Sequence, residues 1–545
     1  MTTGDTVDLI IRGGTVLDGL GTPGRIADVA VHRDRVVAVG RDLALHAGRT
    51  IDARGMHVAP GFIDPHTHSD VVPFMSDPQP FKLRQGVTTE IVGNCGNSAA
   101  PLVDERAVAL HRPMSSTDKA GTPRRARTFD EYLDAIETAG PTNNVASLVG
   151  HHTLRMSANG GERELGAGAL ERMMALADDA FAAGAIGFST GLLYAPGSYA
   201  DAAEIEALAR VAFRWQRPYA THIRDEGDGL ADAVREALDV GRRSGVRVQI
   251  SHCKAAGARN HGRGPELLRM LHEARAAGVD VYGDQYPYAT GESFLSALLP
   301  ASMHEGGSER LRERLADPSA RARAHEAALS GGAGAGAWHQ TSPDGIMVSM
   351  HADAALRGLS IAQLAADRDA DAWDVLCEIV RADPSAMMVY RLMDDGDVEA
   401  ILADPLIAIG SDNSVPVGLA HQRAWGCFPT VLGEFVRERE IVTLEEAVRK
   451  MTSLPARQFG LSGRGYLGSG AIADLVVFDA ASVGHPGRPT EPWVEPTGIP
   501  YVVLAGEIAI DDGRFSGRRD GRVLRAGRGE PSSRRERDAS APAPR

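Results

Sequence analysis

Little in this 545-residue chain suits it to an oxidising or membrane environment. It carries four cysteines, Cys95, Cys253, Cys377 and Cys427, scattered without paired spacing. That excludes a disulfide framework and fits a reducing compartment, so a cytoplasmic location is expected. No apolar run approaches the roughly 20 residues that a membrane-spanning helix needs. Met1–Asp8 lacks the basic and then apolar pattern of a signal peptide. Positive charge is not in excess: 58 Lys and Arg face 72 Asp and Glu, for a net charge of −14. A nucleic-acid partner therefore has no electrostatic support, and a small-molecule substrate is the expected partner. The sequence leaves the oligomeric state open. Lysine itself is nearly missing, with Lys82, Lys119, Lys254 and Lys450 alone. A chain with 43% hydrophobic residues and this length can bury a core without covalent staples.

What is present is a β–α alternation bracketed by two strand-rich ends. Val7–Arg12, Ala27–His32 and Arg35–Val39 read as short strands separated by turn residues, and so do Ile472–Asp479, Tyr501–Leu504 and Glu507–Ile510. Together they predict one small β domain, a β-sandwich built from residues 1–57 and 465–515. The middle, residues 58–464, offers eight candidate strands: Val58–Ile63, Thr88–Val92, Val145–Val149, Ala185–Ser189, Pro218–His222, Arg247–Ser251, Val279–Gly283 and Leu406–Ser411. Helical periodicity lies between them, as in Leu170–Ala183, Ala202–Gln216, Gly229–Ser244 and Pro265–Ala277. An α/β chain of this rhythm fits a (β/α)8 TIM-like barrel, although a doubly wound sheet has similar periodicity. The seventh and eighth strands are too far apart for an ordinary loop. An inserted lid is expected at about residues 291–345, and a disordered tail from 516 to 545.

The chemistry-bearing residues fall at strand ends. His66-Thr67-His68 follows the first apolar run, and alternate residues of an extended chain project to one side. An isolated His-x-His is weak evidence. However, His222, His252 and Asp412 end the fifth, sixth and eighth strands, and in a barrel these ends converge on one face. Cys95 lies in the loop Gly93-Asn94-Cys95-Gly96-Asn97 after the second strand. Each residue alone is as easily a core or surface residue; together they form a donor set suited to zinc or a similar divalent ion. Cys253, Cys377 and Cys427 read as core.

At this point the sequence resembles the N-acyl-D-amino-acid deacylases (D-aminoacylases) of the amidohydrolase superfamily. Pro60-Gly61-Phe62-Ile63-Asp64-Pro65-His66-Thr67-His68 is similar to the superfamily's opening signature. Leu83–Thr89, the Gly93–Gly96 cysteine loop, Gly150-His151, Thr153-Leu154-Arg155, Gly191–Gly197, Tyr286-Pro287-Tyr288, Ile409–Asp412 and Met451–Ala456 resemble the D-aminoacylase branch. The likeness runs from about Val7 to Gly513. It implies a metal-bearing barrel in which Cys95, His222 and His252 hold one tight Zn2+, while His66, His68 and Asp412 line a second, weaker position. It also implies metal-assisted hydrolysis of a linear amide, with Asp412 as general base and then general acid. Arg423, in a His421-Gln422-Arg423 segment where relatives carry His-Pro-Arg, would bind the substrate carboxylate. Tyr288, Lys254 and His151 are further expected substrate contacts. Gly291-Glu292-Ser293-Phe294 departs from the small hydroxyl-rich run of relatives, which leaves side-chain specificity open. A cyclic-amide hydrolase of hydantoinase type and a non-catalytic scaffold on the same fold remain the alternatives. The loop cysteine and the lack of a bridging lysine weigh against the first, and the intact ligand set against the second.

Overall fold

A computed structural model describes residues 6–77, 80–112, 126–332 and 334–527. The two chain ends do form one β domain. Its nine-stranded sheet joins Thr6–Val16, Arg25–His32, Arg35–Gly40, His46–Asp52 and His57–Pro60 from the first end to Leu475–Phe478, Tyr501–Leu504, Glu507–Asp511 and Arg514–Phe515 from the second. The seam is the antiparallel pairing of His57–Pro60 with Leu475–Phe478. Leu9, Ile11, Val29, Val31, Val58, Leu475, Val477 and Val503 pack one shared core, as strand periodicity demands. His46–Asp52 was not expected as a strand. Its residues are mostly exposed and carry little β propensity, and it is held by parallel pairing along Thr6–Val16.

All eight expected barrel strands are present: Phe62–Asp64, Val87–Val92, Asn144–Ser147 continued by Val149–Gly150, Phe188–Gly191, Tyr219–His222, Val248–Ile250, Val281–Gln285 and Ile407–Ile409. Neighbours pair in parallel in that order. The ring closes where the last strand meets the first, through His68 N–H to Asn413 O (2.8 Å) and Asp412 N–H to His66 O (2.7 Å). One expected strand is corrected. The apolar run Val58–Ile63 serves two sheets, the small domain up to Pro60 and the barrel from Phe62. Gly61 is the pivot, and a Cβ there would lie 2.3 Å from the Thr88 side chain. Helices Ala169–Ala183, Ala202–Arg214, Leu230–Ser244 and Gly264–Ala276 occupy the expected positions. In the third of these, Val234, Ala237, Leu238 and Gly241 form the buried stripe.

The insertion is larger than expected and has its own architecture. Thr290–Phe294, Met387–Arg391 and Ile346–Met350 form a three-stranded antiparallel sheet with Met387–Arg391 in the middle. Helices Ser308–Ala316, Pro318–Ser330, Ile361–Asp367 and Ala372–Ala382 pack around it. It therefore extends to Arg391 rather than ending near 345. Its core includes Leu311, Ile346, Val348, Ile361, Trp373 and Leu376, so it is a packed subdomain. The tail expected to be disordered from 516 is corrected as well. Residues 522–526 bond to the barrel through Val145 N–H to Arg522 O (2.9 Å), Leu524 N–H to Val145 O (2.8 Å) and Ala526 N–H to Gly184 O (3.0 Å). Residues 528–545 lie outside the described residues.

Candidate metal centre and active site

The strand ends deliver the expected donors to one place. Cys95 Sγ lies 3.3 Å from His66 Nε2 and 3.4 Å from His252 Nε2. His66, Cys95, His252 and Asp412 offer ligand atoms within 4.8 Å of one another, and His222 joins His252 in an adjoining group with Glu226. Asp412 Oδ1 lies 3.2 Å from His68 Nε2 and 3.5 Å from His66 Nε2. Cys95, His252 and Asp412 all have positive φ (50°, 35° and 49°). This region disfavours residues with a Cβ, and such strain gathers where surrounding structure fixes a functional side chain.

Carboxylates behind the histidines set their orientation. His66 Nδ1 faces Asp284 Oδ1 at 3.2 Å, and His252 Nδ1 faces Glu226 Oε1 at 2.9 Å. Each leaves Nε2 turned toward Cys95, the outer-shell arrangement that makes an imidazole a directed ligand. Asp284 also accepts from His252 N–H (2.8 Å) and Gln249 (2.8 Å). Lys254 Nζ lies 2.6 Å from Glu226 Oε1 and 2.7 Å from His252 Nδ1. A second support joins Asp64, Lys82, Ser411 and Asn413. Asp64 accepts from Ser411 N–H (2.9 Å) and Lys82 (2.5 Å), which pins the first strand end to the last.

The electrostatics favour ionised ligands. Burial opposes ionisation of the Cys95 thiol, yet His66 and His252 outweigh it and hold the thiol well below its ordinary value. Burial also opposes ionisation of Asp412, but Arg423 and the neighbouring histidines hold it well below the usual carboxylate range. Burial pushes His222 down, which keeps a neutral ring. Neither nitrogen of His222 makes a hydrogen bond, although the residue is buried. Its Nε2 stands 3.7 Å from Glu226 Oε2 and beside the Cys95 thiol, and a buried imidazole so weakly satisfied is costly unless an ion completes it. The donor chemistry of Cys95, His222, His252, His66 and Asp412 therefore fits zinc.

These residues face a cavity of about 1030 Å3 including its open mouth, with the insertion as one wall. Of the expected substrate contacts, Arg423 and Lys254 line it. Arg423 Nη1 lies 2.9 Å from Asp412 Oδ2, and its guanidinium covers the Tyr286 ring at 4.6 Å. Tyr288 and His151 do not line the cavity. Beyond Pro287 the chain bends. Tyr288 hydrogen-bonds Thr430 (3.0 Å) and packs on His421, while Tyr286 takes the cavity position. In helix His151–Asn159, consecutive residues lie about 100° apart, so one histidine of the pair faces inward. His152 does, with Nε2 donating to Gly191 O (2.9 Å). His151 turns with Arg155 onto Glu204 (2.7 and 2.5 Å). Sequence reading missed Glu226, Asp284, Tyr286, His152 and Tyr194. The His222–Glu226 spacing was the one visible signal. Tyr194 packs on His222 (centroids 4.9 Å) and hydrogen-bonds Ser293 of the insertion (3.0 Å). Cys253, Cys377 and Cys427 are buried and free.

Comparison with known proteins agrees with this geometry. The family described as "Amidohydrolase family" matches residues 49–510. A D-aminoacylase from Alcaligenes xylosoxydans xylosoxydans is 37% identical over 95% of this chain and 97% of its own length. The crystal structure of an N-acyl-D-glutamate deacylase from Bordetella bronchiseptica, complexed with zinc and a phosphonate that mimics the tetrahedral intermediate, superposes with TM-score 0.80 at 36% identity. That match covers 96% of this chain and 100% of the other. A D-aminoacylase structure with a binuclear metal centre, described by one-metal activation and second-metal attenuation, gives TM-score 0.81 at 37% identity over 95% and 100% of the two chains.

Proposed function

We propose that this chain, which belongs to the amidohydrolase family and to its N-acyl-D-amino-acid deacylase branch, is a zinc-dependent hydrolase of N-acyl-D-amino acids that releases a carboxylate and a free D-amino acid. The observation that carries the reading is the Cys95 thiol set between His66 and His252 beside Asp412, in a cavity that also holds a buried guanidinium. Cys95, His222 and His252 would hold the tighter zinc, and His66, His68 and Asp412 a weaker second position. Bound there, zinc would supply Lewis acidity and lower the pKa of water toward neutrality.

The protein's own part is positioning and proton transfer. Asp412, ionised and restrained by His68 and Arg423, accepts a proton from the attacking water at a carboxylate oxygen. It then returns the proton to the departing nitrogen, without which an amine does not leave. Arg423 is suited to the substrate α-carboxylate, because it is a buried planar cation whose Nε makes no hydrogen bond, while Nη1 is held by Asp412. Lys254, beside Glu226 and over the Tyr286 ring, supplies a second cation to the same cavity. The insertion, tied to the barrel loop through Tyr194 and Ser293, acts as the cover that excludes water.

The cyclic-amide alternative finds less support, because the buried lysines near the site are engaged with Asp64 and Glu226, and a cysteine occupies the position between the two donor groups. The four free, buried cysteines support a reducing, cytoplasmic setting. No described helix is long and apolar enough to cross a membrane. The test is a hydrolysis screen of N-acetyl and N-formyl D- and L-amino acids with the zinc-loaded enzyme. Release of free D-amino acids with little or no turnover of the L series is expected. Equal turnover of both series, or of dihydropyrimidine rings instead, would overturn the reading.

A further inference from the structure

Glu292 sits on the insertion strand Thr290–Phe294, on the wall of the active-site cavity. Alternate residues of that strand share a face. Thr290 contacts His421 from it (2.7 Å), and Phe294 also lines the cavity. The Glu292 carboxylate accepts from Ser414 Oγ (2.7 Å) and from His421 N–H (3.3 Å). Both donors are neutral. Among the described residues no ion pair reaches Glu292, whereas the two cavity cations already face carboxylates, Lys254 with Glu226 and Arg423 with Asp412. Arg423 meets Glu292 through the backbone oxygen at 3.5 Å. The insertion thus presents to the substrate space a carboxylate that is held in place without a direct ion pair, its nearest cation, Arg423, acting on it at longer range while paired with Asp412. In a site partly screened from water, such a group attracts a cation and repels an anion.

We propose that Glu292 selects the amino-acid side chain, favouring N-acyl-D-amino acids that carry an ammonium or guanidinium group and rejecting acidic ones. The inference rests on the deacylase reading above. A charge-assisted hydrogen bond of the usual strength gives the cationic substrate an advantage of about ten- to a hundredfold in kcat/KM over a neutral one of similar length.

The experiment measures kcat/KM of the zinc-loaded, full-length enzyme for Nα-acetyl-D-arginine, N-acetyl-D-glutamine and N-acetyl-D-glutamate, and repeats it with Glu292→Gln. The expected order is arginine, then glutamine, then glutamate, and the variant should bring the arginine-to-glutamine ratio to within about threefold of unity. Competitive inhibition of the parent enzyme by free D-arginine against free D-glutamine reads the same preference without any variant. Hydrolysis of the neutral substrate with no cationic preference, or a ratio unmoved by Glu292→Gln, overturns the inference and leaves the deacylase reading standing. Failure to hydrolyse any of the three overturns the inference, and the deacylase reading falls with it only if no other N-acyl-D-amino acid is turned over.

Discussion

Gly191 ends the fourth barrel strand beneath the cysteine loop. A methyl group there would lie 2.2 Å from the Cys95 carbonyl oxygen, 2.9 Å from the carbonyl carbon and 3.2 Å from the His152 ring. Favourable contacts sit at roughly 3.5 Å, so Gly191→Ala must push the loop back by about 1 Å. The obstacle is backbone and cannot rotate away. Cys95 already has φ of 50°, which leaves the loop little freedom to yield. Overpacking of this kind costs about 1–3 kcal/mol, and a 1 Å displacement of a reacting group costs about a hundredfold in rate. Gly191→Ala, which alters no ligand, should therefore lower zinc affinity and reduce kcat/KM by about a hundredfold. Zinc content by elemental analysis after dialysis against a mild chelator, together with kcat/KM on an N-acetyl-D-amino acid, gives the result. Gly468→Ala, whose added methyl meets nothing nearer than 3.6 Å, is the control. Full zinc content and kcat/KM within about threefold of the parent would refute the dependence of the metal centre on this packing.

Asp412→Asn should fold, keep its tight zinc and lose about 10²–10⁴ in kcat; turnover within a few-fold of the parent would assign proton transfer to another residue. Glu226→Gln should weaken zinc binding by about 10- to 100-fold by loosening His252, which competition with a chromogenic chelator measures; unchanged affinity would leave Glu226 as a partner of Lys254 only. Burial lowers His111 to about 4 and His152 to about 3. Their folded values lie below the unfolded value near 6.5, so the native state binds fewer protons and stability is lost as pH falls from 6.5 toward those values. Each contributes about 1 kcal/mol per pH unit within its window. Urea unfolding midpoints at pH 6.5 and 4.5 should therefore converge more closely in His111→Gln than in the parent, and identical pH dependence would contradict this.

The barrel was legible because its strands and helices keep their own periods, and because six residues of metal-ligating types, His66, His68, Cys95, His222, His252 and Asp412, fall at or just beyond the C-terminal ends of those strands. The misses share a physical cause, in that sequence periodicity does not say which way an irregular segment turns. The run Val58–Ile63 reads as one strand, yet the close approach of Thr88 at Gly61 hands its two halves to different sheets. Tyr286 and Tyr288 flank a proline bend, and His151 and His152 share one helical turn. In both pairs the neighbour of the expected residue faces the cavity. Glu226 and Asp284 were hidden because a carboxylate that orients a histidine acts through a contact made in space. The insertion sheet was hidden for a related reason, since its third strand, Met387–Arg391, pairs with segments about 40 and 100 residues earlier in the chain.

Zinc reconstitution of the chelated enzyme tests the central claim most directly, namely that a metal held by Cys95, His222 and His252 is required for amide hydrolysis. Apoenzyme should be inactive toward an N-acetyl-D-amino acid. Activity should rise with added zinc and reach its plateau near one equivalent per chain, and Cys95→Ser should need a large excess to recover any of it while Cys377→Ser behaves as the parent. Apoenzyme that hydrolyses the substrate at the parent rate, or Cys95→Ser that titrates like the parent, would contradict it.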